Sequence, residues 1–229
     1  MDPVWLPPRA PLWFPPVHEA DDDGLLAVGG DLSPQRLLLA YASGIFPWSD
    51  EGMPPLWWSP DPRTVMSPDR LHVSRRLART LRSGRFTLTW NRSFGEVIRG
   101  CREGREDGTW ILPSMIRAYE ALHRMGHAHS LEVRAGDALV GGLYGVQRGA
   151  LFAAESMFHR VTDASKAAVV AAVRSLAAAG VEVFDVQLTT SHLASLGAWE
   201  MPRADYVALV AKAAAKQVDL TAPALSFGV

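Results

Sequence analysis

The chain has 229 residues, 48% of them hydrophobic and 21% charged, with a formal net charge of −1. That length can bury a substantial core as one large domain or two unequal ones, and the near-neutral balance excludes a surface built throughout to hold nucleic acid. No apolar run approaches the roughly 20 residues of a membrane span, the Pro-rich, acid-flanked start is unlike a signal peptide, and the single cysteine, Cys101, cannot close an internal disulfide, so a cytoplasmic protein is expected.

Residues 1–62 differ in character from the rest, with many prolines and five of the eight tryptophans (Trp5, Trp13, Trp48, Trp57 and Trp58), and are expected to form a separate small domain. One helix is predicted over Pro34 to Ser43, with Asp31 or Ser33 as N-cap, Pro34 in the first turn and Gly44 as the stop; the chain around it is expected to be mostly irregular. In Trp57-Trp58-Ser59-Pro60-Asp61-Pro62-Arg63 the two prolines bias Ser59 and Asp61 toward extended backbone, and the second domain, 63–229, is expected to start there.

A basic helix is predicted next, over about Ser74 to Ser83. Between Asp69 and Arg85 stand Arg70, Arg75, Arg76, Arg79, Arg82 and Arg85 against a single acid, and Arg75, Arg79 and Arg82 fall on one helical face. Such a stripe is either a solvated helix face or a surface for phosphate. A strand follows over Phe86 to Trp90, then a helix capped by Asn91 or Ser93, then a helix from about Pro113 to Met125.

Strands then dominate. Ser130 to Arg134, Ala138 to Tyr144 and Ala150 to Glu155 are separated by Gly-bearing turns and predict an antiparallel meander. The Ala-rich stretch Ala164 to Ala179 is long enough for the crossover helix of a β-α-β unit, which makes the strand Val181 to Gln187 parallel to Ala150 to Glu155. A short helical turn near Ser191 to Leu196, a last helix over about Pro202 to Lys216 and a loose tail of a dozen residues complete the chain.

The crossover brings the polar ends of its two strands to one edge of the sheet, where ligand clefts form. By strand alternation Val183, Asp185 and Gln187 share a face, as do Leu151, Ala153 and Glu155. This is the expected active site. The pattern predicts an α+β fold, a small N-terminal α/β domain followed by a C-terminal domain whose mixed sheet resembles the N-acetyltransferase (GNAT) superfold. Coenzyme A enzymes of that superfold usually carry a glycine turn before the helix to hold pyrophosphate. Here the segment is Arg160-Val161-Thr162-Asp163-Ala164-Ser165-Lys166, with no glycine.

Several blocks resemble the bacterial leucyl/phenylalanyl-tRNA-protein transferase family. They are Gly24 to Leu32, Gly44-Ile45-Phe46-Pro47-Trp48, Trp57 to Arg63, Gly108-Thr109-Trp110-Ile111, His127-Ala128-His129-Ser130, Val140 to Gly145, Glu155-Ser156-Met157-Phe158, Ala164-Ser165-Lys166 and Ser195-Leu196-Gly197-Ala198. They occur in order over roughly residues 14 to 210, and a series of this kind is far more specific than any single block. Ala154 and Val186 depart from the family, which usually has glycine and often cysteine at those positions.

The resemblance implies transfer of Leu or Phe, with Met also possible, from aminoacyl-tRNA to the α-amine of proteins that begin with Arg or Lys, marking them for N-end-rule degradation. The reaction is aminolysis of an activated ester, for which no cofactor, ATP or metal is implied. Asp185 and Gln187 match the family's catalytic pair. Trp48, Trp110, Tyr119, Met157 and Leu143 match an apolar pocket for the donor side chain. Glu155 is expected beside the acceptor's basic side chain, although terminal adenosine is an alternative partner. The stripe Arg75, Arg76, Arg79 and Arg82 is expected on tRNA phosphates. A monomer is expected.

Rival chemistries are weaker. His127 would face His123 for zinc only on one continuous helix, which Gly126 interrupts, so no metal site is expected. Cys101 on a predicted helix reads as structural rather than nucleophilic. A coenzyme A-dependent N-acyltransferase is the alternative enzyme, and a non-catalytic reader of basic N-termini or RNA is the alternative of another class.

Overall fold

Two sheets and seven α-helices are present among the described residues of a computed structural model, which covers 2–103 and 108–228. In chain order the elements are β1 (Val4–Leu6), β2 (Leu25–Gly29), α1 (Pro34–Ala42), β3 (Phe46–Pro47), β4 (Leu56–Trp58), β5 (Arg63–Met66), α2 (Arg75–Arg82), β6 (Thr87–Trp90), α3 (Phe94–Arg102) and α4 (Pro113–Arg124). They continue with β7 (Ala128–Ala135), β8 (Ala138–Arg148), β9 (Leu151–His159), α5 (Ala164–Ala178), β10 (Val183–Gln187), α6 (Ser191–Ala194), β11 (Trp199–Met201) and α7 (Arg203–Ala214).

The expectation of an irregular N-terminal region is corrected. β1, β2, β4 and β3 form a four-stranded sheet in that order, with β1 parallel to β2 and the other pairs antiparallel. Strands this short carry no readable alternation; what holds them is burial. Trp57 on β4 is fully buried, donates its indole N–H to the Gly29 carbonyl at 2.9 Å and meets Phe14 edge-on at 4.8 Å. An aromatic of this size removes about 150–250 Å² from water, on the order of 4–6 kcal/mol. α1 starts as its sequence predicts, with Ser33 Oγ accepting the Arg36 N–H and Pro34 in the first turn.

The large sheet runs β11-β5-β10-β9-β8-β7-β6. β7 to β9 form the predicted antiparallel meander, β6 adds antiparallel to β7, and α5 returns the chain so that β10 pairs parallel with β9. Neither β5 nor the edge strand β11 was legible in the sequence. β5 is buried at all four positions, so alternation is hidden, and it lies antiparallel between β10 and β11. The tail is also corrected: Leu220 is buried, its carbonyl accepts the Trp90 indole N–H at 2.8 Å, and Gln147 Nε2 donates to the Val218 carbonyl at 2.7 Å.

α5 packs on one face of the large sheet, against Leu143 and Phe152. The opposite face, with Tyr144 and Ala153, joins a core that runs through Tyr119 and Tyr41 to Leu37, Leu26 and Trp57 of the first sheet. The close seat of α5 depends on Gly141, where an added Cβ would lie 2.7 Å from the Ala164 Cβ. No helix among the described residues is long and apolar enough to cross a membrane.

Candidate active site

β9 and β10 pair only over Leu151–Ala153 and Val183–Asp185. Beyond that ladder β9 stays with β8 to His159, while β10 ends at Gln187. The strands part there, and the gap is a cavity of about 450 Å³. Trp48, Trp110, Leu143 and Met157 line it together with Phe46, Phe184 and Val186; Glu155 and Gln187 supply polar atoms.

The two residues of the expected catalytic pair do not share a face. The β10–β5 register slips between Asp185 and Gln187, and Gln187 adopts a left-handed backbone with φ +60°. This bulge breaks the alternation, so Gln187 lines the cavity and Asp185 does not. A non-glycine residue in this conformation costs about 1–2 kcal/mol. Asp185 offsets that strain by accepting the Gln187 backbone N–H on Oδ1 at 2.9 Å.

Three further hydrogen bonds hold the Asp185 carboxylate, which is fully buried. Arg63 donates from Nε to Oδ1 at 2.9 Å and from Nη2 to Oδ2 at 2.6 Å, and the Tyr206 hydroxyl donates to Oδ2 at 2.9 Å. Arg63 in turn lies over the rings of Phe46 (4.7 Å) and Tyr206 (4.6 Å) and donates to the Gly44 carbonyl at 3.2 Å. A carboxylate that accepts four donors is an anchor. It touches the cleft only through the backbone it fixes.

Glu155 reaches the cleft through a second bulge. Tyr144 pairs with Ser156 and Gly145 with Ala154, so Glu155 is the extra residue of β9. Glycine is required opposite it, because a Cβ on Gly145 would stand 2.4 Å from the Ala153 carbonyl oxygen. Glu155 Oε2 accepts the Tyr119 hydroxyl at 2.8 Å, and Oε1 lies 3.5 Å from Gln187 Nε2. Burial pushes the Glu155 carboxyl up to about 7; the Tyr119 and Tyr41 hydroxyls pull it down, Asp185 raises it and Arg63 lowers it. Arg160, five residues on, pairs with Glu103 at 3.0 Å rather than with Glu155.

The model of the leucyl/phenylalanyl-tRNA protein transferase family matches residues 65–211, and the model of that family's N-terminal domain matches residues 30–61. The chain belongs to this family. A leucyl/phenylalanyl-tRNA–protein transferase of an Anaeromyxobacter species is 56% identical over 204 residues, 87% of this chain and 86% of its own length. Proteins of the same name from Syntrophobacter fumaroxidans (53%, covering 88% of this chain and 87% of theirs) and Pseudomonas putida (51%, covering 91% and 94%) are comparably similar. The solved structure of L-PGS from Bacillus licheniformis is 10% identical with a TM-score of 0.42 over 72% of this chain and 53% of its own, a likeness too slight to bear on fold or function.

With the transferase family established, the remaining positions can be located. Trp48, 40% exposed, and Trp110 form one wall with ring centroids 6.1 Å apart; Leu143 and Met157 lie on the cavity lining as well. Tyr119 is fully buried behind Glu155 and does not reach the lining. Arg75, Arg76, Arg79 and Arg82 are all exposed on α2, which is anchored by Leu77 and Leu81. Arg76 stands 3.6 Å from Asp163, whose carboxylate also accepts the Thr80 hydroxyl at 3.2 Å. Asp163 is the N-cap residue of α5 and its carboxylate makes no cap hydrogen bond there; negative charge at a helix N-terminus opposes a pyrophosphate ligand.

The histidines are engaged elsewhere. His129 accepts from Asn91 Nδ2 at 2.9 Å and donates to Gln147 Oε1 at 3.0 Å, and burial pushes its pKa down to about 4, so it stays neutral. His123 donates to the Ala128 carbonyl and stacks on Phe94, and Cys101 is buried on α3. Sequence reasoning missed Arg63, Tyr206, Tyr41 and Phe46. An arginine heading the short β-branched and apolar run Thr64–Met66 was the one available signal; nothing local marks Tyr206.

Proposed function

We propose that this cleft transfers Leu or Phe, and also Met, from the 3′ end of an aminoacyl-tRNA to the α-amine of proteins that begin with Arg or Lys, as a tag for N-end-rule degradation in the cytoplasm. One observation carries the reading: a carboxylate and an amide meet in a mostly apolar cavity, where the parallel strands β9 and β10 part.

An α-amine with a pKa near 7.7 to 8.0 is partly neutral at physiological pH, so aminolysis needs alignment more than a strong base. Gln187 directs Nε2 toward Glu155, which leaves its carbonyl oxygen to accept an N–H of the attacking amine and hold the lone pair toward the ester. The nitrogen loses one proton and the leaving 3′-oxygen gains one, so the ester becomes an amide with no net proton change. Glu155 pairs with the acceptor's guanidinium or ammonium. Asp185 is a positioning residue, acting through the Gln187 backbone.

Trp48, Trp110, Leu143 and Met157 form the donor pocket, with Met157 able to adapt to aliphatic or aromatic guests. Arg75, Arg76, Arg79 and Arg82 hold tRNA phosphates without reading bases. The antiparallel meander, crossover helix and parallel strand support an N-acetyltransferase-like domain over 63–229, and residues 1–62 form a smaller unit that brings Phe46 and Trp48 to the cleft of a monomer. Radiolabelled leucine should move from leucyl-tRNA to an Arg-initiated peptide and not to its α-N-acetylated form. Transfer from acetyl-coenzyme A in place of leucyl-tRNA would favour the alternative.

A further inference from the structure

Behind the cleft, a file of hydroxyls leads from the first sheet's helix to Glu155. Tyr41 on α1 and Tyr119 on α4 are both fully buried, with Oη atoms 2.5 Å apart, and Tyr119 Oη lies 2.8 Å from Glu155 Oε2. Tyr119 has one hydroxyl proton, and an ionised carboxylate can only accept it. The hydrogen between the tyrosines therefore comes from Tyr41, and both O–H dipoles point toward Glu155. Burial raises both tyrosines well above their ordinary pKa, so they remain donors across the working range.

We infer that Tyr41 and Tyr119 are positioning residues for the acceptor: their hydroxyl file stabilises ionised Glu155 from behind and sets the pH above which a cationic N-terminal side chain binds. This rests on the reading of Glu155 as the acceptor's carboxylate.

Tyr41 approaches from α1 and Tyr119 from α4, with Tyr144 of β8 edge-on to Tyr119 at 5.5 Å. Arg63 of β5 and Asp185 of β10 act on Glu155 with opposite signs and are paired with each other. Burial then opposes ionisation, and the two hydroxyls favour it. Removing either hydroxyl has one sign: the carboxyl titrates at higher pH. A hydrogen bond to a charged group is worth about 1.5–3 kcal/mol, and one pKa unit corresponds to 1.36, so loss of the Tyr119 bond should move the titration by about one unit or more.

The test is acceptor KM against pH for an Arg-initiated peptide, each variant divided by the unmodified enzyme so that titration of the peptide's own amine cancels. Tyr119→Phe should move the acid limb up by about one pH unit, raising acceptor KM several-fold at pH 6.5, while the leucyl-tRNA KM stays put. Tyr41→Phe should move it the same way by less, and carries the test if Tyr119→Phe does not fold. A ¹³C titration of the Glu155 carboxyl in the resting protein should show the same shifts without any turnover. Superimposable acid limbs and carboxyl titrations in the folded variants would overturn the inference. If Glu155→Gln instead leaves acceptor KM and its pH dependence unchanged, the acceptor reading itself fails, whatever the carboxyl titration shows.

Discussion

The carboxylate of Asp185 accepts the backbone N–H of Gln187 at 2.9 Å, and this bond closes the left-handed turn that aims the Gln187 side chain into the cleft. Asp185 can do so because Arg63 and Tyr206 pin it from the far side. Asp185→Ala should therefore leave a buried guanidinium unpaired and cost about 3–5 kcal/mol of stability, read by thermal or denaturant unfolding. Arg63→Met added to it should recover part of that loss, because the orphaned charge is gone. A double variant as unstable as the two single losses summed would show that the ion pair is not what the fold depends on.

Glu155 carries an opposite trade. Its folded pKa of about 7 lies above the ordinary 4.5, so the native state binds the extra proton. Its contribution favours folding at low pH and is lost as pH rises through the range between 4.5 and 7. Glu155→Gln, which keeps the shape and removes the ionisation, should raise Tm relative to the parent at pH 8 more than at pH 4.5, while acceptor use falls. Equal Tm differences at the two pH values would contradict the perturbed carboxyl.

Trp110 and Trp48 stand as a tilted pair at the mouth of the cavity. Trp110→Ala removes one wall, and an aromatic contact is worth about 0.5–1.5 kcal/mol beyond its buried area. Donor KM for leucyl- and phenylalanyl-tRNA should rise roughly tenfold or more, with acceptor KM little changed. Steady-state kinetics with each substrate varied in turn separates the two.

The four arginines of α2 are exposed, and only Arg76 among them has an ion-pair partner among the described residues. If four phosphates are engaged, raising salt from about 50 to 200 mM should weaken tRNA binding by roughly two orders of magnitude. Arg79→Ala should lower the slope of log affinity against log salt by about one. A slope that stays unchanged would move the tRNA elsewhere.

The meander, the crossover helix and the parallel strand were readable because glycine turns and period changes mark them; β7 to β10 and α5 lie close to their expected places. The first sheet was not, since β3 is two residues with a proline and β1 and β4 are three each, too short for alternation to register. β5 was hidden by burial on every side. Within the site, the positions that line the cavity were largely readable as residues, but their orientation was not. Alternation put Asp185 and Gln187 on one face, and a bulge at a non-glycine residue undid it. Tyr119 was readable as an aromatic near the cleft, whereas its hydroxyl's place behind Glu155 depends on α4 meeting α1, which no local pattern encodes.

The most direct measurement is single-turnover transfer of radiolabelled leucine from leucyl-tRNA to an Arg-initiated peptide by Gln187→Ala, with tRNA affinity measured in parallel. A group that aligns the attacking nucleophile in this way is worth on the order of 10²-fold, so the rate should fall by about that factor while tRNA binds as before. A variant that transfers leucine as fast as the parent would contradict the assignment of the Gln187 amide as the group that holds the attacking amine.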